Sequence, residues 1–559
     1  MAIRQPTTRS HDEGSPTTGA SKVTDTVLMP LAALVAAFLL DSRVQPRRAA
    51  PLSPWRSRPG AWLLLLMNCI LFGAFLALCG SPPAAAILTV ALQLLLMQAS
   101  NAKRTVLGES LLFSDLALVG AVFRHPQFYL SALKGWQLAS AAVGSVALVA
   151  ALARLFVPAP APHIAGAAIV AAAGALLAVT LRRRPFRRLA RTPRADADLA
   201  LLGLLPTLLL YWLRWRGSDD PPALPAPLPA GAGDDFPPAG TAADVPPLIV
   251  AVQCESFADP AELFGDPQFA LAGLEGARAA AFQWGNLQVS GFGAYTMRTE
   301  YGVLFGRGED ELGFRRFDPF LTALGETSYA LPHRLGTGRW RSVFVHPHDM
   351  RFYGRDRILP GAGFTELVGQ ACFDPPAQGD GIYVTDAAIT RKVLALAQAA
   401  RSPTFIYAVT IENHGPWASQ GGASSADLVR SYNRLVRAGD AMLSSLREGL
   451  AKLGRPALLV FFGDHRPSIP GASEPGSALH TPYIMLRFDD RGRIVSGTNG
   501  RKDITPAQLH HAILEAAPGA AMRPGQASGG ASAASTRSRM ARGNIGSTTR
   551  STAKGHGVT

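Results

Sequence analysis

The sequence predicts an N-terminal polytopic membrane region of α-helices, followed by an α/β domain with a mainly parallel sheet. Of its 559 residues 48% are hydrophobic and only 17% are charged, and long apolar segments fill the first 216 positions. So few charges are unusual for a soluble protein of this size. Between residues 248 and 517, short apolar runs alternate with longer helical stretches. This alternation is typical of an α/β domain.

The formal net charge is +14, which raises the question of a nucleic-acid partner. The arginines crowd beside the apolar segments, however, as they do in the cytoplasmic loops of membrane proteins. They are not interleaved with aromatic residues, so we expect no binding of nucleic acid. The four cysteines form neither a CxxC spacing nor a disulfide framework. They leave the redox compartment, and any pairing of Cys254 with Cys372, open.

The polar residues 1–24 lack the basic start and the cleavage site of a signal peptide, and we expect a disordered tail there. A transmembrane domain of about five or six helices follows at 25–216. Its four middle segments approach the ~20 apolar residues that a hydrocarbon core of about 30 Å requires, whereas the first and last are shorter and contain a proline. The apolar segments are 26–41, 61–79, 83–100, 136–156, 163–181 and 198–213.

The arginines also predict an orientation, because loops rich in Lys and Arg stay in the cytoplasm. If 198–213 spans the membrane, everything after Arg216 lies outside the cytoplasm. If 198–213 is instead an interfacial helix, the domain that follows is cytosolic. The loops predicted inside are 42–60, 101–135 and 182–197, and those predicted outside are 80–83 and 157–163.

Residues 217–247 are rich in Pro, Ala, Gly and Asp without periodicity, which predicts a semi-extended linker. The α/β domain occupies 248–517, and the Gly/Ser/Arg/Thr-rich residues 518–559 are expected to be disordered. The strands predicted in the domain are "PLIVAVQ", "TFIYAVTI", "ALLVFFG" and "TPYIMLRF", and the helices include 387–400 and 426–453.

Three of the predicted strands end on polar side chains. A single such ending is usually a helix cap or a turn, but ligands of open α/β sheets bind at the carboxyl ends of the strands. Two carboxylates and an imidazole at one edge suit a divalent metal ion. The endings are Glu255 after "PLIVAVQC", Glu412, Asn413 and His414 after "TFIYAVTI", and Asp464 and His465 after "ALLVFFG".

A Gly-rich segment, "SGFGAYTMRTEYGVLFG" at 290–306, adds a hydroxyl group to this set. Gly291 and Gly293 permit a close approach of the backbone, and Thr296 follows where a helix is expected to begin. The free N–H groups of a helix start suit anionic oxygens, although a threonine there is often only a cap.

Five motifs together resemble a known family: "VQCESF", "GAYTMRTE", "RFYGRD", "ENHGPW" and "FFGDHRP". In this order they are similar to the lipoteichoic acid synthase group of phosphoglycerol transferases, within the alkaline phosphatase and sulfatase superfamily. The resemblance covers 248–517, fits the helical region ahead of it, and implies a sulfatase-like fold.

The resemblance also implies the roles of seven residues. The metal ligands are Glu255, Thr296, Asp464 and His465, with Mn²⁺ the typical ion and Mg²⁺ or Zn²⁺ as alternatives. Thr296 is in addition the nucleophile. The residues that match positions around the substrate are Tyr353, Arg355 and His414.

The activity implied is transfer of a phosphoryl-linked head group from a membrane phospholipid to a glycan through a phosphothreonine intermediate. The enzyme would be a multi-pass protein of a bacterial-type inner membrane with its catalytic domain outside the cytoplasm. Arg355 would grip the phosphoryl oxygens as a planar pair of donors, and His414 would bind or protonate them. Tyr353 stands where the synthases have an indole, and no histidine closely follows "GDH", which leaves the acceptor open.

Three alternatives remain at this point. A phosphoethanolamine transferase shares the nucleophile and metal but usually has disulfides and more histidines. A sulfatase needs a Cys or Ser in a Cys/Ser-x-Pro-x-Arg context, and "AYTMRTE" does not supply it. An inactive module that binds envelope glycans would be expected to lose a metal ligand, yet all four are present.

Overall fold

A computed structural model describes most of the chain outside its two termini. The predicted C-terminal tail, apart from residue 518, lies outside the described residues. The first helix begins at Thr17, within the predicted N-terminal tail. The described residues are 17–47, 56–117, 135–225, 245–377, 381–417, 423–476, 478–497 and 500–518.

The N-terminal region is helical, as predicted. Helices α2, α3 and α6 are long and apolar enough to cross a membrane, and they coincide with the predicted segments 61–79, 83–100 and 163–181. In α1 and α5 the apolar parts with described side chains are shorter, Val27–Asp41 and Ala142–Leu155. The helices are α1 (Thr17–Asp41), α2 (Arg58–Cys79), α3 (Pro82–Leu107), α4 (Phe113–Ala117), α5 (Gly135–Leu155), α6 (Pro160–Arg182), α7 (Ala195–Leu202) and α8 (Leu204–Arg216).

A two-residue turn, Gly80-Ser81, reverses the chain between α2 and α3. Gly80 ends α2 in the left-handed region, with φ of +67°, and its N–H donates to the carbonyl oxygen of Leu76. The Ser81 hydroxyl then accepts a hydrogen bond from the Ala84 N–H and caps α3. Glycine at the end of one helix and serine at the start of the next are the residues that these two positions favour.

The predicted sixth span, 198–213, is not one helix. Gly203, with φ of +91°, separates α7 from α8. Helix α8 has 13 residues, so it is about 20 Å long and too short for a core of about 30 Å. Its Tyr211 is fully buried and stacks on Phe317 of the α/β domain, with ring centroids 5.6 Å apart. The predicted sixth span is therefore not formed as a single helix, and much of this apolar segment is buried by protein.

The arginine-rich loop 182–197 contacts the α/β domain. Arg316 of the domain donates to the carbonyl oxygen of Pro193 at 3.1 Å. The end of α3 touches the domain as well, since the Ser468 hydroxyl donates to the carbonyl oxygen of Val106 at 2.8 Å. These loops and the domain therefore lie at the same end of the helices. The structure corrects the predicted orientation, in which they were on opposite faces of the membrane.

The first part of the predicted linker lies against the domain. Asp220 forms an ion pair with Arg315 at 2.7 Å, and the Leu224 N–H donates to the Ser328 hydroxyl at 3.0 Å. The remaining linker residues, 226–244, lie outside the described residues.

The α/β domain contains the four predicted strands and both predicted helices, with further elements between them. The strands are β1 (Leu248–Cys254), β2 (Gln283–Gln288), β3 (Arg341–Val345), β4 (Glu366–Val368), β5 (Thr404–Val409), β6 (Ala457–Gly463), β7 (His480–Phe488) and β8 (Ile494–Val495). The helices are α9 (Pro260–Phe264), α10 (Ala272–Ala280), α11 (Thr296–Phe305), α12 (Glu309–Leu312), α13 (Pro319–Thr322), α14 (Leu331–Leu335), α15 (Arg355–Gly361), α16 (Asp386–Ala399), α17 (Ser425–Lys452) and α18 (Pro506–Ala516).

One mixed sheet organises the domain, in the order β2-β7-β6-β1-β5-β3-β4, with β8 paired to β7. The strands from β6 to β4 run parallel, whereas β7 is antiparallel to β2, β6 and β8. The central strand β1 is buried along its whole length. Its side chains alternate between two apolar layers, one containing Ile249 and Ala251 and the other containing Val250 and Val252. A strand buried on both faces explains the continuous apolar runs in the sequence.

Reporter fusions can test the corrected orientation. Fusions after residues 190 and 225 should report the same side of the membrane, because both positions lie at the domain end of the helices. A fusion after residue 81, in the turn between α2 and α3, should report the opposite side. Each position is assayed with one reporter active only inside the cytoplasm and one active only outside it. Opposite signals at 190 and 225 would mean that α7 and α8 together cross the membrane.

Candidate active site

The register of the central strands brings two carboxylates together. β1 and β6 are parallel, and their last residues, Cys254 and Gly463, are register partners. Glu255 and Asp464 therefore leave the sheet side by side. Each of these carboxylates, together with the His465 imidazole, offers a ligand atom within 4.8 Å of the others, and all three side chains are buried. The structure thus assembles three of the four predicted metal ligands at one point.

Backbone N–H groups hold the Asp464 carboxylate in place. Its Oδ1 accepts hydrogen bonds from the N–H groups of Ser256 and His465, each at 2.9 Å. Ser256 adopts φ of +50°, a left-handed conformation rare for a non-glycine residue. Its hydroxyl donates to Glu255 Oε1 at 2.9 Å. The other oxygen, Asp464 Oδ2, is buried and has no hydrogen-bond partner within the described residues.

The His465 ring is oriented by its own neighbour. Nδ1 lies 3.2 Å from the carbonyl oxygen of Arg466, which can only accept, so Nδ1 carries the proton. The lone pair is then on Nε2, which lies 3.4 Å from Glu255 Oε1 and 3.5 Å from Asp464 Oδ2. A carbonyl that fixes the tautomer in this way is typical of a metal-binding histidine.

These groups fit a divalent metal ion. Burial, and then the adjacent Asp464, raise the pKa of Glu255 to about 8. Burying two carboxylates so close together costs free energy unless a cation lies between them. Here an unsatisfied carboxylate oxygen and an imidazole lone pair also face the same point. Mixed oxygen and nitrogen ligands of this kind suit Mn²⁺, Mg²⁺ or Zn²⁺.

Thr296 is the first residue of α11 and is buried. Two residues of the preceding loop have left-handed backbones, Gly293 with φ of +65° and Tyr295 with φ of +78°. The Gly293 N–H donates to the carbonyl oxygen of Arg466 at 2.8 Å. The loop therefore lies alongside the segment that carries Asp464 and His465, as the predicted role of Thr296 requires.

Thr299, the other hydroxyl in the first turn of α11, was expected to face the next turn or to pair with Glu300. It is instead fully buried, and its hydroxyl donates to the carbonyl oxygen of Asp464 at 2.8 Å. This hydrogen bond joins the first turn of α11 to the residue that follows β6, so the Thr299 hydroxyl has a structural role.

Arg355 is buried and paired within the protein. Its Nε and Nη2 donate to the two carboxylate oxygens of Glu300 at 3.0 and 2.6 Å. Burial opposes the charge of Arg355, but Glu300 outweighs it and raises the pKa of the guanidinium. The planar pair of donors predicted to grip a phosphoryl group is thus occupied by Glu300, and Nη1 is the nitrogen outside this pair.

The two remaining predicted residues each pack near a residue of known position, Tyr353 near Arg355 and His414 near Tyr383. The Tyr353 ring centroid is 5.1 Å from the Arg355 guanidinium carbon. The His414 ring centroid is 5.8 Å from that of Tyr383. Burial lowers the pKa of His414, whereas burial and then Glu255 raise the pKa of Tyr383 to about 12. Both groups are therefore neutral near pH 7.

Sequence reasoning missed His346, at the end of β3. It is buried, and its Nδ1 lies 3.1 Å from the carbonyl oxygen of Val409, the last residue of β5. Burial and then Arg355 keep the pKa of His346 well below its usual value. The segment "SVFVHPHD" shows the same signal as the other sites, an apolar run that ends on imidazoles.

Residues 247–520 match the family model described as Sulfatase. This match supports the superfamily that the motifs of the α/β region predict. In this chain the α/β region is preceded by apolar helices, three of which are long enough to span a membrane.

Among known proteins, the chain is similar to the capsular polysaccharide biosynthesis protein RkpI of Rhizobium meliloti (strain 1021). The two are 29% identical over 496 residues, which cover 86% of this chain and 91% of the relative. Among solved structures, it is similar to the integral membrane protein lipooligosaccharide phosphoethanolamine transferase A (EptA) from Neisseria meningitidis, with a TM-score of 0.44, 12% identity and coverage of 90% and 95%. It is also similar to the Streptococcus pyogenes phosphoglycerol transferase GacH, with a TM-score of 0.38, 18% identity and coverage of 49% and 74%.

Asp464→Asn should remove the metal and leave the fold intact. The amide oxygen can still accept the N–H groups of Ser256 and His465, whereas the amide nitrogen offers no ligand where Oδ2 stood. Metal content measured by mass spectrometry should fall at least about tenfold, a loss of about 1.4 kcal/mol of binding free energy. Added metal should raise the thermal unfolding midpoint of the wild-type protein but not of the variant.

Asp440→Asn is the matched control for this measurement. Asp440 also accepts two backbone N–H groups, those of Gly273 and Leu274, but it lies outside the cluster. Its variant should retain the metal. Full metal occupancy in Asp464→Asn would exclude Asp464 as a ligand.

Arg355→Lys should reduce both stability and turnover. Lysine cannot reproduce two parallel bonds to Glu300, and breaking a buried ion pair costs about 3–5 kcal/mol. Thermal unfolding and kcat/KM are measured for this variant and for Glu300→Gln, which weakens the same pair and keeps Arg355. Equal losses of turnover would show that Arg355 acts only through Glu300. A much larger loss in Arg355→Lys would indicate direct contact with the substrate.

Proposed function

We propose that this protein is a membrane-anchored, metal-dependent transferase of the phosphoglycerol type. It moves a phosphoryl-linked head group from a membrane phospholipid to an extracytoplasmic glycan through a phosphothreonine intermediate. The observation that carries the proposal is the position of the nucleophile loop, residues 290–296, between the candidate metal site and the end of an apolar helix.

Close packing at Gly293 defines this position. A Cβ atom at Gly293 would lie 2.5 Å from the Ser468 Cβ on one side and 3.4 Å from Leu107 Cδ2 on the other. Leu107 is the last residue of α3, a helix long enough to span a membrane. The phosphodiester of a phospholipid lies at the boundary between the hydrocarbon core and water, where such a helix ends. A nucleophile next to this helix end is suited to a lipid donor.

The reaction proposed has two steps. The Thr296 hydroxyl oxygen attacks the phosphorus of the donor, the bond from phosphorus to the diacylglycerol oxygen breaks, and diacylglycerol leaves with the threonine proton. A glycan hydroxyl then attacks the phosphothreonine, the bond from phosphorus to Thr296 Oγ1 breaks, and the threonine hydroxyl is restored. Splitting the transfer in this way lets donor and acceptor bind in turn.

Glu255, Thr296, Asp464 and His465 would hold the metal ion. We propose Mn²⁺, with Mg²⁺ and Zn²⁺ as alternatives; when bound, such an ion favours deprotonation of a hydroxyl and offsets charge on phosphoryl oxygens. Proton transfer and contact with the head group are assigned to other side chains.

His414 is proposed as the base for the second step. Its Nδ1 lies 2.6 Å from the carbonyl oxygen of Gly415, so Nδ1 is the protonated nitrogen. Nε2 is then the acceptor and can take the proton of the glycan hydroxyl. Arg355, through Nη1, and the Tyr353 ring are proposed to contact the head group.

A glycan acceptor is consistent with the relative RkpI, which is named for capsular polysaccharide biosynthesis. A sulfatase is disfavoured because threonine occupies the position where formylglycine would require Cys or Ser. All four cysteines are free, so the disulfides usual in phosphoethanolamine transferases are absent from the described residues. On the basis of the resemblance, the domain is proposed to lie outside the cytoplasm. The arginine-rich loops that contact it would then lie outside too, against the charge rule.

Thr296→Ala should abolish transfer while metal binding and the fold persist, because only a small side chain is removed. The loss of kcat should be about 10⁴-fold or more, the scale seen when a covalent nucleophile is removed. Wild-type protein supplied with phosphatidylglycerol and no acceptor should gain the mass of one phosphoglycerol group on the peptide containing Thr296. Thr296→Ser should retain part of the activity.

Two controls make this experiment decisive. Phosphatidylethanolamine, tested in parallel, distinguishes the head groups, since labelling by phosphoethanolamine alone would establish the rival transferase. Thr299→Ser keeps the hydroxyl that binds the Asp464 carbonyl and should not affect labelling. Normal consumption of donor lipid by Thr296→Ala would exclude the covalent mechanism.

A further inference from the structure

A buried ion pair joins the membrane region to the first turn of α11. Glu109 follows α3, and its Oε2 lies 2.9 Å from Nη2 of Arg298. The side chains of Arg298 and Glu109 are only 9% and 16% exposed. The Arg298 Nε also donates to the carbonyl oxygen of Phe317 at 3.1 Å. One guanidinium group therefore connects the end of a membrane helix, the α/β domain and the helix that begins with Thr296.

The same guanidinium group packs on Tyr295, the residue immediately before Thr296. The Arg298 guanidinium carbon lies 3.9 Å from the Tyr295 ring centroid, and Lys103 Nζ of α3 lies 5.4 Å from it. Tyr295 adopts φ of +78°, a conformation that costs a non-glycine residue about 1–3 kcal/mol and persists only where its surroundings hold it. Contacts with α3 and Arg298 surround this strained residue.

We propose that Glu109 is a positioning residue for the nucleophile, acting on Thr296 through Arg298 and Tyr295. The membrane region then completes the active site in addition to anchoring it. This inference rests on the proposed function, because it assumes that Thr296 is the reacting group.

The electrostatics of the pair support a fixed contact. Burial opposes the charge of Glu109, but Arg298 and Lys103 outweigh it and lower the pKa of this carboxyl. The carboxylate is therefore charged near pH 7, and removing it leaves Arg298 buried without its partner. A domain cut out as residues 245–518 would keep Glu255, Asp464 and His465 but would lack Glu109.

The test compares variants of the full-length protein in lipid nanodiscs. Glu109→Gln removes the charge at nearly constant size, and Glu109→Asp keeps the carboxylate. Asp196→Asn is the matched control, because Asp196 pairs with Arg104 of α3 at 2.6 Å and is not among the groups that contact Tyr295. The measurements are kcat and KM for phosphatidylglycerol, metal content, and hydrogen exchange of the peptide spanning residues 290–300.

Glu109→Gln is expected to lower kcat by about 10-fold to 100-fold, since small misplacement of a reacting group has effects of this size. The donor KM should change by less than about threefold, because other groups bind the head group. Exchange in 290–300 should become faster, and metal content should be unchanged. Glu109→Asp should recover part of kcat, and Asp196→Asn should match wild type.

A double-mutant cycle tests the route through Arg298. If Glu109 acts through this arginine, Glu109→Gln combined with Arg298→Gln should be no slower than Arg298→Gln alone. Additive losses, wild-type kcat in Glu109→Gln, or unchanged exchange in 290–300 would each overturn the inference. A wild-type protein that takes no phosphoglycerol label would instead overturn the proposed function, and the exchange rates would still decide whether Glu109 orders the loop.

Discussion

The parallel pairing of β1 with β6 is the constraint on which the rest of the site depends. Because Cys254 and Gly463 are register partners, the next residues, Glu255 and Asp464, must emerge as neighbours. Both carboxylates are almost completely buried. Two negative charges so placed repel one another and lose their hydration, so the surrounding structure has to compensate for them.

The compensation is visible in the local backbone. Ser256 adopts a left-handed conformation that directs its N–H to Asp464 and its hydroxyl to Glu255. The carbonyl oxygen of Arg466 fixes the His465 tautomer, so that a lone pair faces the same point. These contacts are held by a sheet packed on both faces, and such packing limits the movement of the three candidate ligands. Asp464 Oδ2 has no hydrogen-bond partner among the described residues, and it is the oxygen that a bound cation would contact.

The N-terminal helices contact segments that flank this site. The end of α3 packs against the loop before Thr296 through Leu107 and contacts Ser468 through the Val106 carbonyl. Helix α8 covers Phe317 in the domain, the residue whose carbonyl oxygen accepts from Arg298. With Thr296 as the proposed nucleophile, an apolar helix that ends beside its loop would give a short path from a bilayer to this hydroxyl. The same contacts explain why the arginine-rich loop 182–197 lies beside the domain.

Local sequence patterns predicted the α/β class and the central strands β1, β5, β6 and β7. They also predicted the grouping of Glu255, Asp464 and His465, because each follows an apolar run that ends on a polar residue. The environments of Arg355, His346 and Glu109 could not be predicted in this way, because their partners are distant in the chain. Hydropathy also could not distinguish α8 from a membrane span, since protein and lipid bury apolar side chains equally well. Local periodicity thus indicates which side chains lie at the edge of the sheet. Long-range packing determines which of them are paired with other protein groups.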